Sequence, residues 1–157
     1  MPIRTSPKDV FLHLLAIASL YTSAISFMML LFQYINVLLP DILENNYYAL
    51  SGAYNSIRWS IASLVVVFPV YVLTGWSLDK GYRKSPAKRD LGIRKWLIHF
   101  TLFAAALIII GDLFTLIYNL LGGELTPRFL LKVATVFFVS GSVFGYYLWD
   151  LRKYKTE

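Results

Sequence analysis

The sequence predicts an all-α membrane protein, a four-transmembrane-helix antiparallel bundle with both termini in the cytoplasm. Its 157 residues are 57% hydrophobic and only 15% charged, and a mean hydropathy of +0.59 is too high for a soluble domain of this size. The apolar residues form four runs that are long enough to cross a bilayer as helices, over residues 10–39, 56–78, 96–121 and 128–149. We expect one membrane domain.

The formal net charge of +6 would suggest a nucleic-acid ligand if the protein were soluble. Here the basic residues gather at the ends of the apolar runs, where anionic lipid headgroups account for them. We therefore predict membrane lipids, and no nucleic acid, as partners. The chain has no cysteine, which excludes disulfides and thiolate metal sites.

Residues typical of helix ends flank the apolar runs and support their assignment as helices. Ser6 to Asp9 combines an N-cap serine, a proline at the first helical position and an acidic residue three positions after the cap. The first run continues well past Ala16-Ile17-Ala18, which mimics a cleavage site, so we expect a span rather than a cleaved signal peptide. Residues 40–55 mix turn formers with tyrosines and predict an outer loop along the headgroups.

The later runs carry similar signals. Pro69 lies inside the second run and predicts a kink, because proline cannot donate the helical hydrogen bond. Gly122-Gly123 suits the end of the third helix, and Thr126-Pro127 can restart a helix as cap and first residue. These residues predict a tight outer turn over 122–127, followed by the fourth span and a cytoplasmic tail over 150–157.

A basic loop over residues 79–95 sets the predicted topology, because basic loops stay in the cytoplasm. With four spans, 12 of the 15 lysines and arginines lie on the side of this loop and both termini, whereas Arg58, Arg128 and Lys132 lie on the other side. Six residues of the loop are expected to contact anionic headgroups: Arg83, Lys84, Lys88, Arg89, Arg94 and Lys95.

Asp112 is the one ionised side chain in the third span. An aspartate near a helix centre costs roughly 2.5–3.5 kcal/mol on insertion scales, so it should face protein or trapped water and have a partner. Lys132 is the first candidate partner and Arg58 the next, although helix geometry points Lys132 outward and Asp112 inward. The predicted polar cluster of the outer leaflet contains Gln33, Asn36, Arg58, Asp112, Thr115, Asn119, Arg128 and Lys132.

Two interpretations of this cluster stay open. In the first, the cluster is a buried acid held by a cation and amides, which fixes helix register in a non-enzymatic structural or accessory subunit. In the second, it is a cavity where Asp112 binds a cation or relays protons, as in a channel or transporter, and water at Asp112 would favour this alternative. No pair of residues resembles a base with its nucleophile or a metal triad, so we expect no enzyme.

The two histidines, His13 and His99, lie about one turn inside different helices at similar depth. Two such histidines can ligate a haem iron or, with a third ligand, a metal ion. No other strong ligand lies at that level, so no cofactor is predicted and the histidine-ligated site is the weakest alternative.

Small residues predict close approach between helices. Gly141 and Gly145 form a G-x-x-x-G pattern in the fourth span with Ala134 one heptad earlier. Ala104, Gly111 and Thr115 repeat this spacing of seven and then four residues in the third span. Packing within the bundle is the favoured interpretation, because every span must find neighbours. A homo-oligomer through Gly141 and Gly145 is the alternative.

Four segments resemble the blocks of a bacterial family of four-span membrane proteins that is described only as a domain of unknown function: SPKDVFLHLLAIASLYTSAISF, IRWSIASLVVVFPVY, IRKWLIHFTLFAAALIIIGDLFTLIYNLLGGELTPRFLLKV and FGYYLWDLR. The resemblance covers nearly the whole chain. It implies four spans in a bacterial cytoplasmic membrane and places Arg58, Pro69, Asp112 and Lys132 within the blocks. It implies no activity, substrate or catalytic residue.

Overall fold

The computed structural model describes residues 6–39, 47–87, 91–123 and 125–154. These residues form four α-helices: α1 (Pro7–Leu38), α2 (Tyr47–Lys84), α3 (Gly92–Leu121) and α4 (Pro127–Tyr154). All four are long and apolar enough to cross a membrane. The predicted all-α, four-span bundle is confirmed, and the protein is a multi-pass membrane protein.

Helix α2 is longer than the apolar run that predicted it. Its 38 residues span about 57 Å, against a hydrocarbon thickness of about 30 Å, so it extends into both the outer loop and the basic loop predicted from the sequence. The helix continues through Pro69. Residues 40–46 and 88–90 of the two predicted loops lie outside the described residues.

The predicted helix ends at α1 and α3 are present. The Ser6 hydroxyl accepts a hydrogen bond from the Asp9 amide at 3.2 Å, and the Asp9 carboxylate accepts from the Ser6 amide at 3.2 Å, which completes a capping box. At the other end of the bundle α3 stops at Gly122, and Gly123 has a φ of +72°, a left-handed backbone that suits glycine.

The helices pack around α1, which contacts α2, α3 and α4, and α3 also packs along α4. The buried apolar residues include Leu97, Ile98 and Ala105 of α3 and Val133 and Val139 of α4, so the core lies where α1, α3 and α4 meet. Most large apolar side chains of the described helices are exposed, as expected where lipid replaces water around a protein.

Candidate functional site at the terminal end of the bundle

The buried ionisable side chains gather where α1 and α3 begin and where α2 and α4 end. We call this the terminal end, because the first and last described residues, Ser6 and Tyr154, lie there, and we call the opposite end the turn end. Asp9, His13 and Arg94 are 7%, 5% and 5% exposed. Together with Tyr82 of α2 and Asp150 of α4 they form a polar network that draws on all four helices.

An ion pair in this network joins α3 to α4. The Arg94 guanidinium donates to the Asp150 carboxylate, and their side chains are only 6% and 15% exposed. Arg94 also lies over the ring of Tyr82, with 5.4 Å between its Cζ and the ring centroid, so the same cation contacts α2. Each charge depends on the other, because a single ion left in such a site has lost its water without compensation.

His13 connects α1 to α2. Its Nδ1 lies 2.7 Å from the carbonyl oxygen of Asp9, and its Nε2 lies 2.7 Å from the hydroxyl of Tyr82. A carbonyl oxygen only accepts, so Nδ1 carries a proton, and Nε2 of the neutral ring accepts the proton of the Tyr82 hydroxyl. Both ring nitrogens are therefore engaged within the chain.

A cavity of about 200 Å³ lies against this network. Its lining comes from all four helices and includes His13, Tyr71, Tyr82, Arg94, Tyr146, Tyr147 and Asp150. Hydroxyl, guanidinium and carboxylate groups supply both donors and acceptors to this space, which can therefore hold ordered water or a small polar ligand.

A second layer of hydroxyl contacts lies deeper between α1 and α3. Thr101 is 1% exposed and donates to the carbonyl oxygen of Leu97 at 2.8 Å. The Tyr21 hydroxyl lies 2.7 Å from the Thr101 oxygen and donates to it, because the threonine proton is already used. The polar contacts of the terminal end thus continue about two turns into the bundle.

The polar cluster predicted around Asp112 does not assemble as expected. The Oδ2 atom of Asp112 is buried and has no hydrogen-bond partner in the described parts of the chain. Nζ of Lys132 lies 5.8 Å from the ring centroid of Phe32, and no ion pair with Asp112 is present among the described residues. Arg58 is exposed on α2.

Lys132, the first candidate, is therefore not the partner of Asp112, in keeping with the helix geometry that argued against this contact. Side chains lean toward the N-terminus of their own helix, and α3 and α4 run in opposite directions. Asp112 consequently leans toward the terminal end and Lys132 toward the turn end, so the two side chains diverge although their helices are neighbours.

Part of the predicted cluster does form between α1 and α4. Arg128 donates to the Asn36 side-chain oxygen from Nε at 3.0 Å and from Nη2 at 2.7 Å, and Asn36 donates to the Gln33 side-chain oxygen at 3.2 Å. Thr115 and Asn119 instead donate to carbonyl oxygens of their own helix.

The structure does not bring His13 and His99 together. His13 is buried in the network, whereas His99 is exposed and its Nδ1 lies 2.8 Å from the carbonyl oxygen of Lys95. A haem or metal ion held by both rings would require His13 to leave its contacts with Asp9 and Tyr82. This geometry disagrees with the histidine-ligated alternative.

The glycines predicted to pack within the bundle do not do so. Apart from the neighbouring backbone of its own helix, a Cβ atom added at Gly111, Gly141 or Gly145 would meet no described heavy atom within 4 Å. Ala134 is exposed, and Ala104 is half-buried at an apolar cavity of about 170 Å³. The intrachain interpretation is wrong for these three glycines, because α4 turns a different face, that of Val133 and Val139, toward its neighbours.

The basic loop divides into exposed and buried residues. Arg83 and Lys84 are exposed, as expected for headgroup contacts, and Lys95 is half-buried. Arg94 is buried in the network, so its prediction as a lipid contact was wrong. Its position three and four residues before the buried Leu97 and Ile98 was a helical signal for the core face. Lys88 and Arg89 lie outside the described residues.

No curated protein and no solved structure gives a significant match. The model of a family described as a domain of unknown function, DUF5671, matches residues 9–147, which include all of α2 and α3, most of α1 and α4, and four of the five network residues. The chain therefore belongs to the DUF5671 family.

Proposed function

We propose that this protein is a non-enzymatic structural or accessory subunit that self-associates in a bacterial cytoplasmic membrane. The observation that carries the proposal is an unoccupied face on α4, formed by Ala134, Phe138, Gly141 and Gly145, which we call the glycine face. All four residues are exposed, and a Cβ added at either glycine would meet open space.

The glycine face has the spacing of a helix–helix contact. Its residues recur at intervals of four, three and four, which places them on one stripe of α4. In lipid, helices associate where small residues let two backbones approach closely, and G-x-x-x-G is the common pattern. A second copy of the chain offers the same stripe, so a symmetric dimer can bury both faces at once.

The polar network supports a structural role for the rest of the bundle. Arg94 is paired with Asp150, and His13 bonds to both Asp9 and Tyr82, so these groups act on one another across helices. Buried polar pairs of this kind can fix helix register. A bundle whose helices are joined by such contacts, with an open small-residue face on α4, suits a subunit of an assembly.

Ion or proton binding at Asp112 is the second candidate function. The buried, unpartnered Oδ2 favours it, because a carboxylate oxygen without a hydrogen bond can accept a cation or a proton. In that case an Asp112→Asn change should abolish the bound species or the flux, while the oligomeric state is unchanged.

Glycine substitutions test the self-association. Gly141→Leu and Gly145→Leu should shift the purified protein from dimer to monomer, measured by sedimentation equilibrium in mild detergent and by energy transfer between labelled copies in liposomes. The added side chains meet nothing within the chain, so the bundle should keep its helical circular dichroism.

Gly111→Leu is the matched control, since this glycine is also exposed within a span but lies on α3. It should leave the dimer intact. A monomeric wild-type protein, or equal weakening by all three substitutions, would contradict self-association through α4.

The proposed orientation places both termini in the cytoplasm, and the distribution of lysine and arginine supports it. Reporter fusions after Asn46 and after Lys88 should place the first outside and the second inside. The reverse result would overturn the topology.

A further inference from the structure

A cleft of about 380 Å³ lies at the terminal end, where the start of α1 meets the end of α2. Its lining is basic and hydroxylic, and we call it the lysine cleft: Lys8, Ser77, Lys80, Gly81, Lys84 and Ser85. No acidic residue is among these six. The cleft is separate from the Arg94–Asp150 ion pair and from the glycine face.

The three lysines converge because of helix geometry. Ser77, Lys80 and Lys84 recur at intervals of three and four residues, so they share one face of α2, and Lys8 is the second residue of α1. Lys80 Nζ lies 3.8 Å from the ring centroid of Trp76. Lys8 and Lys84 form no ion pair with any described residue. Three positively charged residues thus line one space, and their combined charge attracts an anion to it.

We propose that the lysine cleft binds the phosphate group of an anionic lipid headgroup. Lysine is a common phosphate ligand, and the hydroxyls of Ser77 and Ser85 can donate further hydrogen bonds. At Gly81 an added Cβ would meet open space, so a headgroup can approach the backbone there.

The depth of the cleft favours a lipid as the source of the phosphate. Trp76 is 58% exposed one turn before Lys80, and exposed tryptophans of this kind mark the boundary between hydrocarbon and headgroups. A lipid whose acyl chains lie beside α2 at this level can place its phosphate in the cleft that the three lysines line.

Trp76 provides a local reporter for the test. In a full-length variant that keeps only this tryptophan, with Trp59, Trp96 and Trp149 changed to phenylalanine, brominated phosphatidylglycerol in nanodiscs should quench the fluorescence more strongly than brominated phosphatidylcholine at equal mole fraction. The triple change Lys8→Gln, Lys80→Gln, Lys84→Gln should remove this preference. Each lysine lost should lower the affinity for phosphatidylglycerol relative to phosphatidylcholine by roughly fivefold.

Matched variants separate a site from diffuse attraction. The triple change Arg152→Gln, Lys153→Gln, Lys155→Gln removes the same charge from the C-terminal residues rather than from the cleft on α1 and α2, and it should keep most of the preference. The triple change of the cleft lysines to arginine should keep it too, which guards against a folding defect. Equal losses in both glutamine triples, or no preference in the starting variant, would overturn the proposal. Relief of quenching by millimolar inorganic phosphate would assign the cleft to free phosphate and overturn the lipid assignment.

Discussion

A charged side chain inside a membrane protein is stable where a partner replaces the water it has lost, and Arg94 and Asp112 meet this condition to different degrees. Arg94 has the Asp150 carboxylate and the ring of Tyr82. Asp112 has a buried Oδ2 without a hydrogen bond in the described structure. Arg94 should therefore stabilise the bundle, and Asp112 should not.

This difference leads to a prediction for Asp112. Asp112→Leu should leave the free energy of unfolding unchanged or raise it by up to roughly 1–3 kcal/mol, because it removes a polar atom that is buried without a partner. Combined with Lys132→Met its effect should be additive, since the two side chains do not touch. Urea titration in micelles, followed by circular dichroism, gives the numbers. A coupling energy above about 1 kcal/mol would show that the two residues interact.

At the residue scale, contacts between near neighbours in the sequence could be predicted, whereas contacts that depend on how the helices pack could not. The capping box needs only Ser6, Asp9 and the intervening turn, so the sequence predicts it directly. The burial of Arg94 depends on the rotation of α3 against α4. The residue types in a run of charges do not determine that rotation. The one signal in the sequence is that Arg94 lies three and four residues before the apolar Leu97 and Ile98, on the same helix face.

At the scale of elements, α2 depends on few partners. It packs along α1, and its far end contacts the network through Tyr82, which bonds to His13 and lies beneath Arg94. One hydroxyl therefore contributes to the attachment of a 38-residue helix. The sequence predicted the position of this helix but not its length. Hydropathy identifies the part of a helix that lies in hydrocarbon, and it does not identify the helical turns that extend beyond it.

Tyr82→Phe tests this attachment. The ring stays in place for Arg94, but Nε2 of His13 loses its partner in a buried site, which should lower the free energy of unfolding by roughly 1–3 kcal/mol. Tyr118→Phe is the control, because Tyr118 is 69% exposed, and it should change stability by less than about 0.5 kcal/mol. Equal effects of the two changes would show that the His13–Tyr82 bond does not stabilise the bundle.

The small residues of α3 and α4 show a second limit of prediction at this scale. Glycine at intervals of four predicts that some helix approaches closely, but not which helix. Within the chain, Gly141 and Gly145 face open space, so their partner must come from outside the chain if the pattern is used at all.

For the whole molecule, polar contacts join the helices at both ends. The Arg94, Asp150, His13 and Tyr82 network lies at the terminal end, and Arg128 with Asn36 joins α4 to α1 toward the turn end. Because lipid is as apolar as the helix surfaces, burial of apolar side chains contributes little to helix association in a membrane. Polar contacts between the helices therefore contribute a larger share of the stability of the bundle. The sequence predicted the number of spans from composition and length, but it did not predict that Asp9, His13 and Arg94 would be buried together at the terminal end.

The ion pair between Arg94 and Asp150 tests the central claim that the terminal network holds the bundle together. In micelles, Arg94→Met and Asp150→Leu should each lower the free energy of unfolding by roughly 3–5 kcal/mol, because each leaves a charge without its partner in a poorly hydrated site. Arg83→Met is the control, since its pair with Asp79 is largely exposed, and it should cost less than about 1 kcal/mol.

The decisive measurement is the double-mutant cycle on the first pair. The double change should cost clearly less than the two single changes added together, with a coupling energy of at least about 2 kcal/mol, because no unpaired charge remains. Additive single effects, or single effects no larger than that of Arg83→Met, would contradict the claim that this network holds the four helices together.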